Sequence, residues 1–184
     1  MVEKSALREF VKDYPLTDYD RKKSDDLLLA RFLSLSKTAQ SSTILLYYGI
    51  GKEPDTARLL EPLTALGIHV ALPHCISPGQ MEARQYLGAE RLIPNFYGIP
   101  EPDESCPIVK KKDLSLILVP ALCCDERGYR LGHGGGYYDR YLADFQGLTM
   151  ALCRKKLLLP LIPTEPHDQP VDIIVTENRC LSFS

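Results

Sequence analysis

The segment "LSLILVP", residues 114–120, is apolar at almost every position. A strand with one wet face alternates apolar and polar side chains, so a run without alternation reads as a strand buried on both faces. Such a strand needs helices above and below its sheet, and the flanking segments supply them. Residues 3–11 read as a first helix, with Leu7, Phe10 and Val11 as an apolar stripe and Pro15 as its stop. Residues 19–35 read as a longer helix, with Leu27, Leu28, Arg31, Phe32 and Leu35 at helical period and Thr17 or Asp18 as its cap. "SSTILLYYG" (41–49) is a strand stopped by glycine. "DTARLLEPLTALG" (55–67) is a helix with Leu59, Leu60, Leu63 and Leu66 on one face, where Pro62 is either tolerated in a first turn or makes a kink. "IHVALP" (68–73) is a second strand, "GGYYDRYLADF" (135–145) starts a helix, and "LTMALC" (148–153) and "VDIIVTE" (171–177) are further strands. The alternation predicts one α/β domain over residues 1–184: an open, mainly parallel sheet with helices on both faces, a three-layer α/β/α arrangement. Residues 73–112, interrupted by Pro73, Pro78, Pro94, Pro100, Pro102 and Pro107, are expected to be loops with minor elements.

A length of 184 residues suits one ordinary domain, and 45% hydrophobic with 25% charged residues is the balance of a globular chain. A net charge of -2 argues against a nucleic-acid binder dominated by phosphate neutralisation. No segment reads as a membrane span. The start, "MVEKSALREFVKDY", carries charges where a secretory peptide needs an apolar core, so the chain is expected to be cytoplasmic. The six cysteines, at 75, 106, 123, 124, 153 and 180, form no CxxC pair and fit reduced thiols, with Cys123 and Cys124 expected to finish a buried strand.

"RLGHGGGYYDRYL", residues 130–142, places four glycines in five positions. The dinucleotide fingerprint GxGxxG would need glycine where Tyr137 stands, and no Gly-Lys-Ser/Thr of a P-loop occurs. The physical logic survives another spelling, because glycines let main-chain N–H groups approach an anion and a helix starting at Gly136 or Tyr137 turns its positive end toward it. Arg130 and Arg140 flank the segment as charge partners, and Asp139 could carry a divalent cation. A plain glycine-rich hairpin with its tyrosines in the core explains the same residues equally well.

The longer stretch "LVPALCCDERGYRLGHGGGYYDRYL" closely resembles the signature of the 5-formyltetrahydrofolate cyclo-ligase family, and "KSALR", "EPDT", "IPEP" and "VDIIVTE" extend the resemblance in family order over most of the chain. Cys123, Cys124 and His133 depart from the residues the family usually carries there. The resemblance implies a compact α/β enzyme that couples ATP hydrolysis, with Mg2+, to ring closure of 5-formyltetrahydrofolate, giving 5,10-methenyltetrahydrofolate, ADP and phosphate. It implies that Lys4, Arg8, Arg130, Leu131, Gly132, His133, Gly134, Gly135, Gly136, Tyr137 and Tyr138 bind ATP, with Arg130 and Lys4 catalytic. It further implies that Tyr48, Glu53, Tyr97 and Tyr137 touch the folate and that Asp139 and Asp172 serve the metal. ATP and 5-formyltetrahydrofolate are thus the expected partners of a monomer or weak homodimer, with neither nucleic acid nor membrane involved.

Read from the residues alone, Lys4 and Arg8 share one helical face suited to a triphosphate, or else to solvent. Glu53 follows a strand, where open α/β sheets bind ligands. Asp172 equally suits a cap on the preceding turn, and Tyr97 a loop anchor. His69, His74 and His167 lack metal-ligand spacing and are expected to be structural. A formamide carbon is a poor electrophile, so the implied chemistry first moves the γ-phosphoryl group to the formyl oxygen before folate nitrogen 10 attacks. A folate- or nucleotide-binding protein without turnover, and an ATP-dependent kinase or ligase for another small molecule, are the alternatives.

Overall fold

The computed structural model describes residues 3–38 and 41–183. Along the chain come α1 (Lys4–Asp13), α2 (Asp18–Thr38), β1 (Thr43–Leu45), α3 (Leu60–Ala65), β2 (His69–Ser77), β3 (Gln80–Gln85), β4 (Leu92–Pro94), β5 (Pro100–Pro102) and β6 (Ile108–Val109). There follow β7 (Leu116–Val119), β8 (Cys123–Asp125), β9 (Arg130–Leu131), α4 (Tyr137–Leu142), β10 (Leu148–Leu152), β11 (Leu158–Leu159), β12 (Ile173–Val175) and β13 (Cys180–Ser182).

The main sheet has the order β13-β12-β10-β7-β1-β2-β3-β6. Strands β12, β10, β7, β1 and β2 pair in parallel, while β13, β3 and β6 extend the edges antiparallel. The unbroken apolar run forms β7 in the middle of the parallel group, and all four of its residues are buried. Leu116 and Leu118 face one layer with Phe32 of α2 and Leu60 and Leu63 of α3. Ile117 and Val119 face the other, with Val11 of α1 and Leu142 of α4. Alternate side chains of one strand thus feed two cores, which is the expected three-layer arrangement. At the start of α2, Thr17 Oγ1 accepts from the Asp20 N–H at 3.0 Å and Asp20 Oδ2 accepts from the Thr17 hydroxyl at 2.8 Å, a reciprocal cap.

The differences from expectation have local causes. Phe10 and Leu27, placed on apolar stripes by spacing, are 48% and 47% exposed, while Val11, Leu28 and Phe32 of the same stripes are buried, so the former two lie at the edges of the core-facing surfaces. Strand β1 stops at Leu45, because the chain beyond it turns over the sheet end, where the Gly49 N–H bonds Thr56 Oγ1 at 3.0 Å. The helix expected over residues 55–67 is a 3₁₀ turn, Thr56–Leu59, followed by α3, and Pro62 falls in the first turn of α3, where no intrahelical donor is needed. Residues 73–112 hold more structure than expected: β2 continues to Ser77 and hairpins with β3, β6 adds an edge, and β4 pairs with β5. These strands are short or half-buried and show no clean alternation.

Cys123 and Cys124 are buried as expected but do not finish β7. They form β8, the centre of a separate sheet ordered β11-β8-β9. Its anchor is the fully buried Asp125. Asp125 Oδ1 accepts from the main-chain N–H groups of Arg127 (3.0 Å) and Tyr129 (3.1 Å), while Oδ2 accepts from Ile162 N–H (3.0 Å) and from Arg127 Nη2 (2.7 Å). Those bonds fix the turn that delivers β9. A buried carboxylate with this many donors leaves them all unsatisfied when removed, so Asp125→Ala should lower stability by about 3 kcal/mol in urea unfolding monitored by circular dichroism. A loss under about 1 kcal/mol would mean the turn holds without it.

Candidate active site

The parallel strands point their carboxyl ends to one edge of the sheet, where the chain leaving β1, β2 and β7 helps wall a cavity of about 580 Å³. Ligands of open α/β sheets bind at such an edge. One wall is α1 with Lys4 and Arg8, a second is β9 with the glycine loop, and a third is the loop after β1 with the strands β2, β3 and β5.

Main-chain carbonyls of the glycine loop are held by guanidinium groups. Arg8 Nε donates to Gly132 O at 2.9 Å, and Arg140 donates to Gly135 O at 3.2 Å, to Gly136 O at 3.4 Å and to Gly79 O at 3.3 Å. A trans peptide points its N–H opposite to its C=O, so fixing these carbonyls turns the amides of His133, Gly136 and Tyr137 away from the cations. Two glycines are required by conformation as well as space. Gly134 has φ 98° and Gly136 φ 67°, and a Cβ at Gly136 would lie 2.5 Å from Arg140 Nη1. The tyrosines that follow do not simply pack in a core, since Tyr137 and Tyr138 both line the cavity. Helix α4 has six residues, fewer than expected, so the loop amides rather than a long helix dipole are what it offers an anion. Arg140, expected to face a ligand, instead pins the loop to the β2–β3 turn and is not on the cavity wall.

Lys4, Arg130 and His133 on the wall each have a carboxylate beside them, whereas Arg8 has the Gly132 carbonyl. The Lys4 ammonium lies 2.7 Å from Glu165 and 2.6 Å from Asp168. Burial works against its charge, but the bonds to Asp168 and Glu165 outweigh that, so its pKa stands above the ordinary lysine value. The Arg130 guanidinium, 5% exposed, donates to Asp139 Oδ1 at 3.0 Å and to Gln169 O at 2.7 Å. His133 Nε2 stands 3.3 Å from Glu53 Oε1, and that carboxylate, before the opposing effect of burial, raises the imidazole pKa above its usual value.

The third wall is apolar with two buried carboxylates. Tyr48, Tyr97 and Tyr137 line it together with Pro73, Met81 and Ile99. Glu53 is held by the Ile50 N–H at 3.0 Å. Glu101 accepts from Cys75 N–H at 3.0 Å and from Asn95 Nδ2 at 2.6 Å. The phenolic oxygens of Tyr47 and Tyr138 are buried on this cavity without a hydrogen-bond partner, a costly condition that a polar ligand atom would relieve.

The residues singled out from sequence as ligand contacts therefore meet here with two exceptions, Arg140 and Asp172. Asp172 is not brought to the cavity at all. Its Oδ2 accepts from Thr149 N–H at 2.8 Å and Thr149 Oγ1 at 2.7 Å, at the starts of β12 and β10 and so at the opposite end of the sheet. Asp172 thus ties the start of β12 to the start of β10 rather than capping the turn before it, as its position also suggested. Asp139 lines the cavity, with Oδ1 taken by Arg130 and Gln169 N–H and Oδ2 outside those bonds, an oxygen of the type a hard cation takes. Sequence reasoning missed Glu101, Asn95 and Cys75 on one side and Glu165, His167 and Asp168 on the other. His167, expected to be merely structural, lines the cavity with ligand-type atoms within 4.8 Å of those of Glu165 and Asp168, although Lys4 already occupies their charge. The "IPEP" block carried a signal for Glu101; nothing in "TEPHDQP" announced that it would meet α1.

Burial first, and then Glu101, push the Cys75 thiol up to about 12. Cys75 should therefore alkylate slowly at neutral pH, and Glu101→Gln, by removing the adjacent negative charge, should speed iodoacetamide labelling several-fold, as read by peptide mass spectrometry. Unchanged labelling would mean that burial alone protects the thiol.

Three comparisons bear on this geometry. The family model described as the 5-formyltetrahydrofolate cyclo-ligase family matches residues 1–177. A probable 5-formyltetrahydrofolate cyclo-ligase of Schizosaccharomyces pombe is 32% identical over 166 residues, with 81% of each chain covered. A 5-formyltetrahydrofolate cyclo-ligase of Mycolicibacterium smegmatis is 34% identical over 145 residues, with 74% of each covered. The solved structure of Aquifex aeolicus 5,10-methenyltetrahydrofolate synthetase superposes with a TM-score of 0.86 at 29% identity, covering 97% of this chain and 92% of that one.

Proposed function

The chain belongs to the 5-formyltetrahydrofolate cyclo-ligase family, and we propose that it closes 5-formyltetrahydrofolate to 5,10-methenyltetrahydrofolate at the expense of ATP, releasing ADP and phosphate. The observation that carries the reading is a single cavity in which a bare-backbone loop ringed by Lys4, Arg8 and Arg130 faces an apolar wall with the buried carboxylate Glu53. One side suits a triphosphate, and the other suits a flat heterocycle with N–H donors.

The formyl group on folate nitrogen 5 is an amide, whose carbon resists attack while its oxygen remains a poor leaving group. The formyl oxygen takes the γ-phosphoryl group, so an O–P bond forms as the bond between the γ-phosphorus and its bridging oxygen breaks and ADP departs. Nitrogen 10 then bonds to the activated carbon and loses its proton, and the C–O bond breaks with phosphate carrying away the electron pair. No enzyme nucleophile is needed, so the protein's contribution is placement and charge balance. In this reading Leu131, Gly132, His133, Gly134, Gly135, Gly136, Tyr137 and Tyr138 enclose the phosphates. Lys4, Arg8 and Arg130 offset their charge, with Lys4 exchanging Glu165 and Asp168 for phosphate oxygens. Tyr48, Tyr97 and Tyr137 flank the folate and Glu53 accepts from its ring donors. Asp139, through Oδ2, would hold a magnesium ion, and such an ion would neutralise negative charge on the phosphates. Asp172 has no part in it.

All of these groups come from one chain, so a monomer suffices, and the six free thiols suit a reducing cytoplasm. Among the described residues no helix is long and apolar enough to cross a membrane.

Purified protein given ATP, Mg2+ and 5-formyltetrahydrofolate should develop the near-ultraviolet absorbance of the methenyl product, and none should appear without ATP. Arg130→Ala should lower kcat/KM by about a hundredfold or more while the protein remains folded. Tight folate binding with no ATP-dependent product would mean a binding protein instead. Phosphate release with other acceptors but not with 5-formyltetrahydrofolate would mean another ligase or kinase.

A further inference from the structure

We infer that His133 is a positioning residue for Glu53: its imidazole covers the carboxylate oxygen that the main chain leaves open and gives it up when the pteridine N–H donors of 5-formyltetrahydrofolate arrive. The inference rests on the proposed substrate and adds to it a link between the two halves of the site.

The Glu53 side chain is 3% exposed, and its two oxygens are treated differently. Oε2 accepts from the Ile50 N–H at 3.0 Å, a bond within its own loop. Oε1 faces His133 Nε2 at 3.3 Å, across the cavity mouth on a different segment. A buried carboxylate oxygen is stable only with a donor, and the donor here is a side chain 53% exposed on a loop of glycines. The partner is therefore displaceable. A ligand that offers ring N–H groups to Glu53 satisfies the same oxygen and releases residue 133, while Arg8 still holds Gly132 O at 2.9 Å. Residues 133 and 134, between that anchor and the Arg140 bonds to Gly135 O and Gly136 O, are then free to adjust toward a nucleotide. Occupancy of the folate wall and the shape of the phosphate loop become one equilibrium, which is a coupling between sites through a named contact.

The contact depends on pH with a definite sign. Arg8 from α1 opposes protonation of His133 and Glu53 favours it more strongly, leaving the imidazole pKa raised. Tyr47 from the segment after β1 and Tyr138 from α4 also face Glu53, and burial pushes both phenols upward, so they stay neutral. A raised imidazole pKa means the charged pair is complete below the ordinary histidine range and fades as pH rises through the raised value. The imidazolium is the stronger competitor, so folate binding is weakest at the acid end.

The test uses the full chain without nucleotide, so that phosphate titration does not enter. NMR titration of the His133 ring protons should give a pKa above the ordinary value, which falls in Glu53→Gln and also on saturation with 5-formyltetrahydrofolate. The affinity for 5-formyltetrahydrofolate should be about threefold to tenfold weaker near pH 6 than near pH 8 in the wild-type protein, and nearly independent of pH in His133→Gln. An imidazole titration unmoved by Glu53→Gln, or equal pH dependence in wild type and His133→Gln, overturns the inference. If 5-formyltetrahydrofolate binds at neither pH, the substrate reading and the release step fall together, and the ligand-free titration still decides whether Glu53 holds His133.

Discussion

Between residues 132 and 136 the backbone lies against guanidinium groups, with Arg8 on Gly132 O and Arg140 on Gly135 O and Gly136 O. These bonds decide the character of the site. They use up the carbonyls that would repel an anion, and the planarity of the peptide sends several amides the other way. They also locate the loop, because Arg8 belongs to α1 and Arg140 reaches the β2–β3 turn through Gly79 O. Side chains at Gly134 and Gly136 would fall on the same guanidiniums. At Gly134 and Gly136 glycine is thus required by the backbone conformation, and the bare backbone serves the chemistry as well.

The second theme is exchange of partners. Lys4 with Glu165 and Asp168, Arg130 with Asp139, and His133 with Glu53 all stand paired around the cavity without ligand. These positive groups are compensated where they stand, so their desolvation is tolerable, and the chain as a whole carries a formal charge of only -2. This is why bulk composition named no partner. A polyanion entering such a site need not meet bare charge; it replaces one set of oxygens by another.

The sequence was most legible where a physical demand is local. An unbroken apolar strand can only be central, and β7 is; the glycine segment was read as exposed backbone, and it lines the cavity. Residues 73–112 were less legible because their strands are held by pairing between half-buried edges rather than by alternation of their own side chains. Asp139 and Asp172 look alike in sequence and fall at opposite ends of the sheet, because only strand direction separates them. Glu165 and Asp168 meet Lys4 across more than 160 residues, a contact no spacing rule can supply. Family resemblance reached further than periodicity in bringing Glu53 and Tyr97 to the cavity, and its "IPEP" block contained Glu101 without assigning it a role; the bonds of Glu101 to Asn95 and Cys75 hold the β4–β5 hairpin against the cavity.

The central claim is that the turned-out amides of the glycine loop and the wall around Glu53 serve two reactants at once. A crystal structure with a non-hydrolysable ATP analogue and 5-formyltetrahydrofolate tests it most directly. The account predicts the terminal phosphate of the analogue against the loop amides, with the formyl oxygen facing it and the pteridine ring on Glu53. Nucleotide bound elsewhere, or a folate whose formyl group points away from the loop, would contradict it.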